Sequence, residues 1–197
     1  METEMNKMNL LRLWWAGVTT PRRAFEELKN KSAPSWGFWI VLIFNLLISL
    51  TTLLALELLG RRPFMESWLT FLPTEKYLLP EMFFLPPLRV LVWLMGAATV
   101  HLGLRLAKQK SDFDQILNIG GMGYLVIMPF ILASDWLLIA LNQYSIAEYT
   151  HPLAAFWSIA LTFIGLKKIL GTRTGLALGM SLLSELVSIP LLAVFAR

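Results

Sequence analysis

The chain is 197 residues long, 56% hydrophobic and only 15% charged, with 8 Trp and 12 Phe, and its mean hydropathy of +0.62 excludes an ordinary water-soluble domain. It contains no cysteine, which removes disulfides, thiolate metal sites, cysteine nucleophiles and palmitoylation. The formal charge of +4 comes from basic residues at the ends of apolar stretches, where they suit orientation in a membrane, so the lipid bilayer is the expected partner and nucleic acid is discounted.

Residues 1–35 read as a cytoplasmic amphipathic segment ahead of the first span. The run from Met5 to Gly17 is too short to cross and carries Lys7 and Arg12, with Leu10, Leu11, Trp14 and Trp15 spread over one broad side. Such a helix is expected to lie in the headgroup layer, where anionic lipids attract cations. A second short helix starts at Thr20-Pro21, Thr20 as N-cap and Pro21 in the first helical position, and runs to Leu28. Ser32, Ala33 and Pro34 then break it.

Residues 36–197 form the membrane domain. The apolar stretches 36–58, 85–107, 116–141, roughly 150–169 and 175–196 each approach or exceed the ~20 residues a helix needs to cross ~30 Å of hydrocarbon. In lipid their backbones have no other way to satisfy N–H and C=O groups, so each is helical. The predicted fold is all-α: a polytopic bundle of five transmembrane helices with N-terminal amphipathic interfacial helices.

On the first span, Asn45, Ser49 and Thr52 make a polar stripe that should face protein. The loop from Gly60 to Phe84 mixes Pro63, Pro73 and Pro80 with Phe64, Trp68, Leu69, Phe71, Leu72 and Tyr77. It is too apolar for a hydrated loop and too rich in proline for a span, and suits either a cap over a cavity or an element floating at the interface. Gly120, Gly121 and Gly123 crowd the start of the third span. Gly171, Gly175 and Gly179 recur every four residues around the start of the fifth, beside a second stripe of Ala177, Ser181, Ser184 and Ser188. Small faces of this kind let helices approach closely. Contact inside the monomer is the expected use, and a homo-oligomer seam through Gly171, Gly175 and Gly179 is the alternative.

Lysine and arginine set the orientation. Lys7, Arg12, Arg22, Arg23, Lys29 and Lys31 precede the first span, Arg105, Lys108 and Lys110 follow the second, and Lys167, Lys168 and Arg173 follow the fourth. The other side receives only Arg61, Arg62, Lys76, Arg89 and Arg197. The positive-inside rule then predicts a multi-pass protein of the cell (plasma or inner) membrane, N-terminus in the cytoplasm and C-terminus outside.

The candidate site is an intramembrane polar cluster of Glu57, Arg89, Asp135 and Glu185, because ionisable side chains within spans are costly and are kept for a reason. Glu185, near the middle of the fifth span, must be neutralised or met by a cation or water inside the bundle. Arg89 stands at a helix N-terminus, against the macrodipole, and is expected to pair with Glu57 or Asp135. An ion pair that locks helices and a substrate or proton path are the two readings. His101 is a lone histidine. Glu148 and His151 have the spacing of carboxylate-bridged metal sites, but no second pair exists and Pro152 suggests a loop, so no metal is predicted. No catalytic motif occurs, no cofactor is implied, and an enzyme is not expected.

Five strings carry a resemblance. Thr20-Pro21-Arg22-Arg23-Ala24-Phe25-Glu26-Glu27-Leu28 precedes the first span; Ser111-Asp112-Phe113 leads into Gly120-Gly121-Met122-Gly123-Tyr124 and a later Pro129. Gly165-Leu166-Lys167-Lys168 and Gly171-Thr172-Arg173-Thr174-Gly175-Leu176-Ala177 form a basic turn between the last two spans. Together they resemble the Yip (Ypt/Rab-interacting) membrane proteins, in their prokaryotic branch, with Pro21, Phe25, Gly123, Tyr124 and Pro129 as the family motif. The Asp-Leu-Tyr-Gly-Pro string of eukaryotic members does not occur in the chain. The resemblance implies a five-span fold and a protein that binds, stabilises or regulates other membrane components, other membrane proteins among them. The rival class is a small transporter or lipid-handling protein with an intramembrane cavity at Glu185.

Overall fold

The computed structural model describes residues 9–29, 34–61 and 73–195. Among them, five helical stretches are long and apolar enough to cross a membrane: Ser35–Leu58, Leu78–Leu106, Phe113–Ala140, Tyr144–Ile169 and Thr174–Phe195. The expected all-α, five-span architecture is therefore the observed one. The run Met5–Met8, Ser32 and Ala33, and the loop residues Pro63, Phe64, Trp68, Leu69, Phe71 and Leu72 lie outside the described residues, as do Lys7, Lys31, Arg62 and Arg197.

Helix α1 (Leu10–Thr19) starts at Asn9, whose side chain accepts a hydrogen bond from the Arg12 N–H at 3.0 Å. Its buried stripe is Leu13 and Gly17, whereas Leu11 and Trp15 are exposed. The broad apolar side read from the sequence is thus divided between two jobs. Gly17 lets the α1 backbone press against Val126 and Met122 on the third span, and Trp14 packs on Phe130 with ring centroids 5.9 Å apart. Rather than only resting on lipid, the helix docks on the flank of the bundle. Helix α2 (Pro21–Leu28) has Pro21 at its first position, but Thr20 makes no side-chain cap. Its hydroxyl donates back to the Ala16 carbonyl at 3.4 Å. Phe25 is fully buried against Gly165, where any side chain would run into Phe25 and Ile119.

The first span is α3 (Pro34–Leu47), a π-helical segment Ile48–Leu53, and α4 (Leu54–Leu58). Its polar stripe faces protein: Asn45, Ser49 and Thr52 are all buried. Gly37 and Gly121 bring the first and third spans into backbone contact, since a methyl on Gly121 would lie 2.7 Å from the Gly37 Cα. Trp36 Nε1 donates to Asn118 Oδ1 at 2.8 Å beside that crossing.

The second span, α5 (Leu78–Leu106), begins well before residue 85. Pro80 stands in its first turn, where a missing N–H forfeits nothing, and the helix continues through Pro86 and Pro87, which leave the Met82 and Phe83 carbonyls without their helical partners. The third span, α6 (Phe113–Ala140), is capped by Asp112, which accepts from the Gln115 N–H at 3.2 Å. It is the central helix, packed against α1, α3, α5 and the fourth span, α7 (Ala147–Ile169). Glu148, His151 and Pro152 stand on α7, in place of the predicted loop. A proline in the second turn removes one backbone bond, which a 23-residue helix absorbs. Gly171 closes α7 at φ 67°, and the Thr172 N–H returns to the Leu166 carbonyl at 3.2 Å.

The fifth span is broken into α8 (Thr174–Leu186) and α9 (Ile189–Phe195). Pro190 has no N–H to donate and its ring crowds the carbonyl of Leu186, so the helix opens just before it. Tyr77 Oη donates to the Phe195 carbonyl at 3.1 Å, tying the end of α9 to the start of α5. Lys108, Lys110, Lys167, Lys168 and Arg173 gather at one end of the bundle, the basic end; the turn Tyr144–Ile146 lies at the opposite, distal end. Around the flanks, Phe156, Leu178, Leu182 and Leu183 are exposed, the apolar coat that lipid requires.

Candidate functional site

A cavity of about 480 Å³ runs inside the bundle between α5, α6, α7 and the fifth span. One face of α5 lines it along nearly its whole length through Glu81, Leu85, Arg89, Trp93, Gly96 and Val100. The spacing of three or four residues keeps these side chains on one stripe. Opposite, His151, Ala155, Ser158, Thr162 and Leu166 form the matching stripe of α7. The wall is mostly apolar, with polar groups in two layers.

The middle layer holds Arg89, Tyr124, Ser158 and Glu185. Ser158 Oγ donates to Glu185 Oε1 at 2.6 Å. Arg89 is hydrogen-bonded to Tyr124 and within electrostatic reach of Glu185, while its buried Nε has no hydrogen-bond partner. Glu185 reaches this layer from the last turn of α8, next to the break before α9. Gly123 stands beside this level, where an added Cβ would make an ordinary contact with Ser158 Oγ at 3.9 Å. One turn toward the basic end, Trp93 lies over Gly120, whose hydrogen leaves space for the indole. Trp93 Nε1 is also buried without a partner.

The distal layer holds Asp135, His151, Tyr144 and Glu81. Asp135, almost wholly buried, is bonded to His151 through Oδ1 and Nε2 at 3.0 Å. Asp135 follows Tyr124 by eleven positions on α6, or ~16 Å at 1.5 Å per residue, so the two layers do not touch.

Of the four residues read as a cluster, Arg89, Asp135 and Glu185 line this cavity and Glu57 does not. Glu57 is half-buried on α4. Among the described residues, Arg89 forms no ion pair with Glu57 or Asp135. Asp135 is taken by His151, and the Arg89 side chain sits a layer away, with Tyr124 and Glu185. In the sequence His151 stands out only by its metal-site spacing to Glu148, and no group of three or more His, Asp or Glu side chains able to hold a metal ion occurs among the described residues. The signal for its partner is that Asp135 and His151 lie equally far from Gln143, on the two helices that turn there. His101 serves as a clasp at the basic end, its Nδ1 2.8 Å from Ser111 Oγ.

The family model of the Yip1 domain matches residues 15–196, almost the whole chain. The protein belongs to the Yip family. Within this Yip-family bundle, Tyr124 lines the cavity, while Phe25 and its neighbour Ala24 are core and Pro21 starts α2. No match is found among curated proteins or among solved structures.

Proposed function

We propose that this Yip-family protein works as a scaffold or adaptor of the cell membrane that binds, stabilises or regulates other membrane components, without chemistry of its own. We take residues 1–35 as its cytoplasmic amphipathic segment and 36–197 as its membrane domain, with the C-terminus outside, on the lysine and arginine distribution. The observation that carries the reading is the outer face of α8. Ala177, Ser181 and Ser188 are buried inside the bundle, but Gly175 and Gly179 have nothing within 4 Å of the place a Cβ would occupy, and both are exposed. Two glycines four residues apart, flanked by exposed Leu178, Leu182 and Leu183, form a surface that a second transmembrane helix could approach closely. Gly171 does not share this role, since its positive φ is required by the turn. The partner is another membrane protein or a second copy of this chain.

Gly175→Leu with Gly179→Leu tests the assignment. Recovery of copurifying membrane proteins and of self-association in mild detergent should fall several-fold, while thermal stability stays unchanged because no neighbour inside the chain is disturbed. Undiminished recovery in the double variant would refute the assignment of this face.

A further inference from the structure

We propose that the intramembrane cavity is a binding site for an amphiphile with an acidic oxygen headgroup, a carboxylate or a phosphate ester, on a long apolar chain. This goes beyond the scaffold reading and does not depend on it. Three observations support it together.

The first is a pair of buried donors on the wall. Glu185 and Asp135 already have partners: Ser158 donates to Glu185 at 2.6 Å and His151 lies 3.0 Å from Asp135. On α5, part of the Arg89 guanidinium bonds Tyr124, yet two N–H groups remain. Arg89 Nε and Trp93 Nε1 are both buried and both without an acceptor, and Trp93 as a residue is only 7% exposed. They stand four residues apart on the same stripe and both line the cavity. A buried donor without an acceptor is destabilising, so a ligand bearing several acceptor oxygens gains by satisfying two at once. A guanidinium and an indole N–H select an anionic oxygen cluster over a cation or an amine. Asn45 Oδ1, the unpaired acceptor on the α3 wall, suits a hydroxyl of the same headgroup.

The second is the rest of the lining. Away from the two polar layers the walls are mainly apolar, with Leu85, Ile131 and Leu192 on one side of Arg89 and Val100, Ile116 and Leu166 on the other. A water-soluble anion would find little to contact there. An alkyl chain would be surrounded. The volume of about 480 Å³ falls within the ~300–1,000 Å³ of small-molecule sites.

The third is the break in the fifth span, which falls at the cavity wall: Glu185 just before it and Ser188 within it both line the cavity. Irregular backbone at membrane depth is tolerated where it is buried in protein or lines a cavity.

The test is photo-labelling of the purified full chain in nanodiscs with three probes: a fatty acid carrying a chain diazirine, a phosphatidylglycerol with the same chain, and the methyl ester of that fatty acid. Peptide mapping should find adducts on cavity residues such as Met128, Ile119 or Val100 with at least one acidic probe, and which probe labels identifies a free acid or a bilayer phospholipid as the source. The methyl ester should label them about tenfold less, as expected for losing a charge-assisted bond. Arg89→Gln should reduce acidic-probe labelling by a similar factor and leave adducts on lipid-facing Phe156 and Leu182 unchanged. Adducts confined to lipid-facing residues with all three probes overturn the proposal, as does equal cavity labelling by acid and ester. Both of these outcomes are read on the wild-type chain, so the test survives if the Arg89 variant fails to fold.

Discussion

Single glycines in this chain do opposite things, and the neighbour met by an added methyl decides which. At Gly121 that methyl would lie 2.7 Å from the backbone of Gly37, a contact that cannot yield without separating two spans. Overpacking of this kind costs ~1–3 kcal/mol. Gly121→Ala should therefore lower the thermal midpoint in detergent, whereas Gly179→Ala, with open space around it, should leave it unchanged or raise it through the better helix propensity of alanine. Equal midpoints for the two variants would show that the first and third spans do not cross at Gly121. None of this can be read from the spacing of glycines, because Gly121 and Gly179 look alike in the sequence.

At the scale of elements, the docking of α2 includes a solvent-exposed ion pair that responds to pH. Lys168 Nζ donates to Glu26 at 2.7 Å; that bond and the lysine charge hold the Glu26 carboxyl below the usual glutamate range, against a smaller opposing effect of burial. A carboxyl with a lowered folded-state pKa contributes stability that is complete above its unfolded pKa and is lost as pH falls through the lower, folded value. The pair lies in solvent and its contribution is small. Amide exchange in residues 21–28, corrected for the intrinsic rate, should show protection that weakens on acidification below the ordinary glutamate range. Glu26→Gln should remove that dependence and leave the apolar anchor of Ala24, Phe25 and Leu28. A wild-type chain with pH-independent protection would mean that the ion pair contributes nothing to docking. The segment itself was legible as two short helices from Pro21 and the apolar runs; that α1 turns Leu13 and Gly17 inward and leaves Leu11 and Trp15 outside depended on the surface of α6.

For the whole molecule, the unequal sharing of basic residues between the two ends predicts sidedness. The cysteine-free chain allows a direct check with single thiols at exposed positions. Lys110→Cys and Arg173→Cys should be protected from an impermeant maleimide in intact cells, and Ser145→Cys should react. The opposite pattern would reverse the orientation and move the basic end outside the cell.

Length and hydropathy of the apolar runs sufficed for five membrane helices, since a backbone in hydrocarbon has one local way to satisfy its own polar groups. The polar stripe of Asn45, Ser49 and Thr52 was equally legible, because a period near 3.6 places those residues on one face and lipid rejects that face. Proline was read too strongly: Pro80 and Pro152 fall in the opening turns of α5 and α7, where a missing N–H breaks little, while Pro190 does break the fifth span. The site divides along the same line. That Arg89, Asp135 and Glu185 deserve notice follows from the cost of charge in a membrane, a property of each residue and its depth. Which carboxylate meets which partner is set by helix rotation and axial offset, and only packing fixes those. The turn at Gln143 therefore joins Asp135 to His151, and the close crossing of α5 over Gly120 leaves Arg89 and Trp93 facing a cavity.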